Sequence, residues 1–286
     1  MRYRILVALL FTCISLSSLA SRTLLDETGQ KVIVPDHPHR IICLVPSITD
    51  SVFALDAGDD VIAISDYVEF PEAARKKTSV GSIMTPSLEK IVSLHPDLIL
   101  GTPKANSQAT LDQLSKLGIP VYLVDPHGLT GILRSITMLG HALNRDSQAN
   151  LLTAELERRI EKVRDSAKGK PVVSIFMPVW YDPVITIGKG AFTTQIIEAA
   201  GGRSVTDDLA QEWPHVSMEA VVERAPAALL LMRGGKMTFD TLKEKPGWDN
   251  LPAVKANRVY YVDRRVNFPS PVAIDALEDL ARQFHP

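Results

Sequence analysis

The sequence predicts an α/β protein made of two similar lobes, each around a parallel sheet, joined by one long helix. Three observations predict it. Pro86-Ser87-Leu88-Glu89-Lys90-Ile91-Val92, followed by Pro96-Asp97-Leu98-Ile99-Leu100, recurs 130 residues later as Val216-Ser217-Met218-Glu219-Ala220-Val221-Val222 and Pro226-Ala227-Ala228-Leu229-Leu230. Ser87 matches Ser217, Glu89 matches Glu219, Val92 matches Val222 and Pro96 matches Pro226 without a gap. Each copy reads as a serine-capped helix that stops at a proline and runs into a buried strand. Short continuous apolar runs alternate with helical patterns through both halves, the mark of parallel strands covered on both faces. Between the copies lies a charged segment with a single narrow apolar stripe. Two lobes imply a cleft between them.

In chain order, Thr23-Leu24-Leu25-Asp26 and Lys31-Val32-Ile33-Val34 flank a turn at Gly29 and predict a small hairpin. Strands are expected at Ile41–Val45, Val61–Ser65, Leu98–Leu100 and Val121–Val124, with helices at Asp50–Asp56, Ser87–Leu94 and Ala109–Leu117. In the segment that follows, Ala149, Leu152, Leu156, Ile160, Val163 and Ala167 recur at spacings of three and four among Glu, Arg, Lys and Asp. Asp146 or Ser147 can cap its start, and Gly169 with Pro171 ends it. At ~1.5 Å per residue its length is about 33 Å, enough for a rigid strut joining the lobes. Strands then return at Val172–Met177, Val184–Ile187, Ala228–Met232 and Arg258–Val262, and helices at Phe192–Ala200, Ser217–Arg224 and Pro271–Phe284. The expected division is therefore residues 21–143, a connecting helix over 144–169, and residues 170–286.

The first twenty residues are of another kind. Arg2 and Arg4 precede an almost uncharged stretch, Ile5 to Leu19, that ends in Ser18-Leu19-Ala20, the pattern of a secretory signal cut after Ala20. Cys13 follows Phe11-Thr12, too bulky for a lipid-anchor motif. Without that segment the chain carries four more acids than bases, which does not suit a nucleic-acid partner. It then keeps a single cysteine, Cys43, in an apolar run where a buried structural thiol is expected.

In open α/β sheets ligands bind beyond the carboxyl ends of strands, so the residues following strands are the candidate site. These are Ser65 to Pro71 with Tyr67, Pro178 to Pro183 with Trp180 and Tyr181, and Asp263 to Pro271 with Arg264, Asn267 and Phe268. Trp213-Pro214-His215 stands just before the repeated Glu219 helix. Aromatic faces beside a few amides and guanidinium groups suit a large, flat, amide-rimmed organic ligand; the competing role for Trp180 and Trp213 is to plug the lobe cores. Catalytic sets are weak. Ser47 has no nucleophile elbow and reads as a helix cap. His37-Pro-His39 lacks a Cys or carboxylate cluster, so no metal site is expected. Gly188-Lys189-Gly190 is too short for a phosphate loop. Neither an enzyme activity nor a resident cofactor is expected. Glu89 and Glu219 are each favoured by a helix dipole. As a pair on equivalent surfaces, they would also meet two basic sockets of a two-fold symmetric partner.

The stretch Ile41 to Asp50, together with Ile64-Ser65-Asp66-Tyr67, Val80-Gly81, Ser87-Leu88-Glu89, His95-Pro96-Asp97-Leu98-Ile99, Trp213 to Glu219 and Pro269-Ser270-Pro271, resembles the periplasmic binding proteins of vitamin B12 and iron-chelate ABC importers. The resemblance covers nearly the whole chain beyond the signal. It implies the class III arrangement, two Rossmann-like lobes bridged by one helix, with ligand held between them. It also implies a monomer that delivers its ligand to an inner-membrane permease–ATPase complex, docking through Glu89 and Glu219. Within the family the similarity is greatest to B12 binders, whose cleft tyrosine falls on Tyr67 and whose Trp-Pro falls on Trp213-Pro214. Two departures stand out. Ile83 sits where a B12 binder can place a tryptophan, and Arg264-Arg265-Val266-Asn267-Phe268 differs from the expected acidic-aromatic loop. Cobalamin or a related corrinoid is the expected ligand, with haem or a ferric siderophore the alternative.

Overall fold

The computed structural model describes residues 20–286; the predicted signal segment, apart from Ala20, lies outside them. β1 (Ser21–Leu25) and β2 (Lys31–Pro35) form the expected hairpin, with Gly29 in the left-handed region at its turn. The first lobe then runs β3 (Ile41–Cys43), α1 (Pro46–Ala54), β4 (Val61–Ile64), β5 (Thr78–Ser79), α2 (Leu88–Ser93), β6 (Leu98–Gly101), α3 (Gln108–Lys116), β7 (Val121–Leu123) and α4 (Gly128–Leu143). Its sheet is all parallel, in the order β5-β4-β3-β6-β7. After α5 (Asp146–Ala167) the second lobe contains β8 (Val173–Phe176), β9 (Pro178–Tyr181), β10 (Val184–Thr186), α6 (Phe192–Ala199), β11 (Gly202–Ser204), α7 (Met218–Arg224), β12 (Ala228–Met232), α8 (Phe239–Lys243), α9 (Pro252–Lys255), β13 (Val259–Val262) and α10 (Val272–Phe284). Its parallel sheet is ordered β11-β8-β12-β13.

The internal repeat is visible in the backbone. Ser87 accepts the Lys90 N–H at the start of α2, and Ser217 accepts the Ala220 N–H at the start of α7. His95 and Ala225, equivalent in the repeat, both turn into the left-handed region just beyond these helices. Each helix then feeds a central strand, β6 beside β3 and β12 beside β8. The four strands β4-β3-β6-β7 and β11-β8-β12-β13 therefore share one order, with β5 additional in the first lobe and the β9–β10 hairpin in the second.

Alternation along the strands sets the layers. Ile41 and Cys43 face one core, while Ile42 and Leu44 face a second under α2 and α3. In β12, Leu230 faces the first core, and Leu229 and Leu231 face a third with Phe176 and Trp248. The first core does not stop at the lobe boundary: it runs from Ile48 and Ile136 through Leu156 and Ile160 to Leu277 and Leu280. The long helix is thus a packed wall shared by both lobes, lying against α4 on one side and α10 on the other.

Several local expectations are corrected. Helix α4 has a broad apolar face and only a narrow polar stripe, Thr130, Arg134, Thr137 and His141, and sequence reasoning passed over it. Helix α1 begins at Pro46, because proline is suited to the first helical position. Ser47 is consequently inside the first turn, and the N-cap is Val45, which offers no side-chain cap. Neither Asp146 nor Ser147 caps α5; Arg145 occupies that position, and Asp146 lies in the first turn. β10 does not join the parallel sheet but pairs antiparallel with β9, which was not anticipated. The residue that plugs a lobe core is Trp248, 1% exposed, whereas Trp180 and Trp213 are 44% and 46% exposed.

Candidate functional site

A cavity of about 280 Å³ opens between the lobes. Its first-lobe wall comes from the carboxyl ends of three adjacent strands: Val45, Pro46 and Ser47 after β3, Thr102 and Lys104 after β6, and Asp125 to His127 after β7. The chain leaves β3 toward β4 on one side and returns to β6 on the other, so the wall lies at the point where strand order reverses, the expected ligand position of such sheets. Facing it from the second lobe are Asn267, Phe268 and Pro269, in the loop beyond β13.

Asn106, 4% exposed, holds three of these segments together. Its Oδ1 accepts the Thr102 N–H at 2.9 Å, and its Nδ2 donates to the Ile83 carbonyl at 2.9 Å and the Leu44 carbonyl at 3.4 Å. Space for it exists because residue 101 is glycine: a Cβ there would come within 2.8 Å of Asn106 Oδ1.

The lobes also touch beside the cavity. Arg264 Nη2 lies 2.6 Å from Glu69 Oε1, and the Phe268 ring meets Phe70 edge-on with centroids 6.0 Å apart. Below them Asp50 Oδ2 accepts the Val272 N–H at the first turn of α10, at 3.4 Å. Asp50 is buried, and burial pushes its carboxyl above the ordinary range.

Of the residues expected to contact ligand, Asn267 and Phe268 line the cavity. Arg264 is engaged with Glu69 across the lobe boundary. Tyr67 is 79% exposed in a turn where its φ of 65° is left-handed, a conformation that costs a non-glycine residue energy. Trp180 and Tyr181 stack at 5.3 Å on β9, with the Lys245 ammonium 4.6 Å from the Tyr181 ring. Trp213 stands exposed in the loop before α7. These last four are not among the cavity's lining residues. Sequence reasoning missed Thr102, Lys104, Asp125 and His127. The strand-end rule reaches them, since they follow β6 and β7, both of which the apolar runs predict.

Glu89 and Glu219 are both exposed in the first turns of α2 and α7. The Glu219 carboxyl is held below its ordinary range by its own backbone N–H and by the Ser217 hydroxyl, so it is an anion at neutral pH. Among the described residues there is no cluster of three or more His, Cys, Asp or Glu fit to hold a metal ion. No described helix is long and apolar enough to cross a membrane.

Residues 41–266 match the family model described as periplasmic binding protein. The chain belongs to the periplasmic binding protein family. It is 29% identical to an uncharacterised ABC transporter substrate-binding lipoprotein, YvrC, of Bacillus subtilis, over 92% of this chain and 85% of the relative. It is 27% identical to a vitamin B12-binding protein of Vibrio campbellii, over 86% of this chain and 89% of the relative. Among solved structures, the periplasmic heme-binding protein RhuT of Roseiflexus sp. RS-1, in apo form, superposes with a TM-score of 0.79 at 27% identity, covering 86% of this chain and 98% of RhuT. The vitamin B12-binding protein BtuF of Vibrio cholerae superposes with a TM-score of 0.76 at 25% identity, covering 86% of this chain and 96% of BtuF.

Proposed function

We propose that this chain is an exported solute-binding protein that captures cobalamin or a related corrinoid between its lobes and delivers it to an inner-membrane permease–ATPase complex. The observation that carries this is the cavity at the strand-order reversal, faced by the loop after β13, in a chain whose relatives include vitamin B12-binding proteins. At about 280 Å³ the cavity is smaller than the ~300–1,000 Å³ typical of small-molecule sites. A macrocycle would therefore enter edge-first or lie across the mouth, using exposed aromatic faces as further contact surface. Tyr67, Trp180, Tyr181 and Trp213 take that role in this reading, with Phe268 and Asn267 inside and Arg264 freed from Glu69 on loading. Export would follow cleavage after Ala20, residues 21–143 and 170–286 would act as the two lobes around the 144–169 connection, and the monomer would dock through Glu89 and Glu219.

The second reading is a haem binder, favoured by the likeness to RhuT and by Ile83 standing where a tryptophan would suit a corrin face. Calorimetric titration of the mature chain with cyanocobalamin and with haemin separates the two. One-to-one binding of cyanocobalamin, tighter than haemin, is expected; saturable haemin binding with no cobalamin heat would replace the first reading by the second.

A further inference from the structure

Part of the cavity wall carries hydrogen-bond donors that the fold leaves without partners among the described residues. Helix α1 begins at this wall, behind Val45, without a side-chain cap. The Ser47 N–H, in the first turn of α1, has no hydrogen-bond partner among the described residues, and Ser47 lines the cavity; at the start of α4, by contrast, Gly128 lies against Gln195 and Leu129 lines a separate cavity. The first-turn amides of a helix, with the positive end of its dipole, favour a negative group. A second observation is independent of the helix ends. Ser47 is 8% exposed and lines the cavity, and its hydroxyl makes no hydrogen bond among the described residues. A third is Lys104, the cavity's only lysine or arginine, whose ammonium has no carboxylate within ion-pair distance among the described residues.

Of the other polar residues on the wall, three are engaged, while the His127 side chain makes no hydrogen bond among the described residues. Asp125 Oδ1 accepts the His127 N–H at 3.1 Å, and the Thr102 hydroxyl accepts the Lys104 N–H at 3.4 Å. Asn267 Oδ1, opposite, accepts the Thr193 hydroxyl at 3.0 Å. Asp125 is the one like charge an incoming anion would meet.

We infer that the wall formed by the start of α1, with Ser47 and Lys104, is a subsite for one acidic group of the transported ligand, a phosphodiester or carboxylate. This deepens the proposed function and rests on it for the body of the ligand. The subsite would read the nucleotide-loop phosphodiester of a complete corrinoid, or a carboxylate of a haem, and would disfavour a chelate with no acidic group. A free tetrahedral oxyanion shares the same chemistry.

The test is calorimetry on the mature chain with four probes: cyanocobalamin, dicyanocobinamide (which lacks the phosphodiester), haemin and inorganic phosphate. Wild-type protein should prefer cyanocobalamin to dicyanocobinamide. Lys104→Ala and Ser47→Ala should each weaken cyanocobalamin about fivefold while changing dicyanocobinamide less than about twofold. Asp125→Asn should strengthen cyanocobalamin, and raised salt should narrow the preference. Equal affinity for the two corrinoids, unmoved by either variant, would overturn the subsite and leave corrinoid transport standing. Haemin binding that depends on Lys104, with no corrinoid binding, would keep the subsite and remove the corrinoid. Tight, Lys104-dependent phosphate binding without either macrocycle would also keep it, and would remove the macrocycle reading altogether. Silence with all four probes would overturn both.

Discussion

Asn106 shows how much a single side chain can organise. With its carboxamide it pairs backbone groups of Leu44, Ile83 and Thr102, tying the Ile83 loop to the ends of the neighbouring strands β3 and β6. Asn106→Ala would leave the buried Thr102 N–H and Ile83 carbonyl unpaired. Urea unfolding should register a loss of about 2–3 kcal/mol, and ligand affinity should fall with it; a loss below about 0.5 kcal/mol would mean that water takes over the bonds. Asp50 behaves in the opposite sense. Burial raises its carboxyl above the ordinary 3.8, so the folded chain binds that proton more tightly than the unfolded chain. Stability from this group is therefore fully present below the ordinary value, declines as pH rises toward the raised one, and is flat beyond. Asp50→Asn, which can still accept the Val272 N–H, should melt higher than wild type at pH 7. The difference should close on acidification below 3.8; a variant less stable than wild type at both pH values would refute the account. Neither residue stood out in the sequence, because an asparagine after a strand and an aspartate in a helix are ordinary until the fold brings distant backbone groups to them.

At the level of elements, the seam between α5 and α10 is closed by Arg159. Its guanidinium donates to Glu278 at 2.9 and 2.8 Å and to Asp275 at 2.7 Å, and Arg265 reaches the other Asp275 oxygen at 3.0 Å. Arg159 holds the Glu278 carboxyl below its ordinary 4.5, so this contribution is present above 4.5 and is lost as pH falls through the lowered value. Because the pair is partly exposed, Arg159→Ala should cost only about 1–2 kcal/mol at pH 7. The cost should fade in acid; a penalty independent of pH would assign the effect to packing of the arginine stem instead. The paired helices α2 and α7 carry another prediction. Reversing charge at both Glu89 and Glu219 should leave cobalamin binding by the isolated protein unchanged and abolish uptake by cells. Uptake at the wild-type rate would remove the docking role. Elements of this kind were the legible part of the chain. Serine caps, proline stops and apolar runs are local signals, and the repeat doubled each of them. Helix α4 was lost because its apolar face is broad, and β10 was misassigned because pairing direction depends on a partner, β9, whose Pro178-Val-Trp-Tyr looked like a loop. The aromatics divided for a similar reason: exposure is a property of the assembled surface, so nothing local marked Trp248 as core and Trp180 as surface.

For the whole molecule, the decisive fact is that one apolar core passes through α5 from lobe to lobe. A lobe swinging widely would have to separate Leu156, Ile160 and Val163 from their packing, and exposing apolar surface costs about 25 cal/mol for each Å². Several hundred Å² uncovered would consume much of the ~5–15 kcal/mol that holds a domain folded. Loading must therefore proceed by small shifts at the cleft edge, where the contacts are few and separable: the Glu69–Arg264 ion pair and the Phe70–Phe268 edge contact. An exposed pair of this kind contributes only about 0–1 kcal/mol, so ligand contacts can replace it without disturbing the core. Small-angle scattering of the free and cobalamin-loaded protein should then differ in radius of gyration by less than about 1 Å. Arg264→Ala should bind ligand with an unchanged or faster on-rate, since entry no longer waits on the ion pair. A compaction of several ångströms on loading would mean that the shared core yields, and that α5 is a hinge and not a wall.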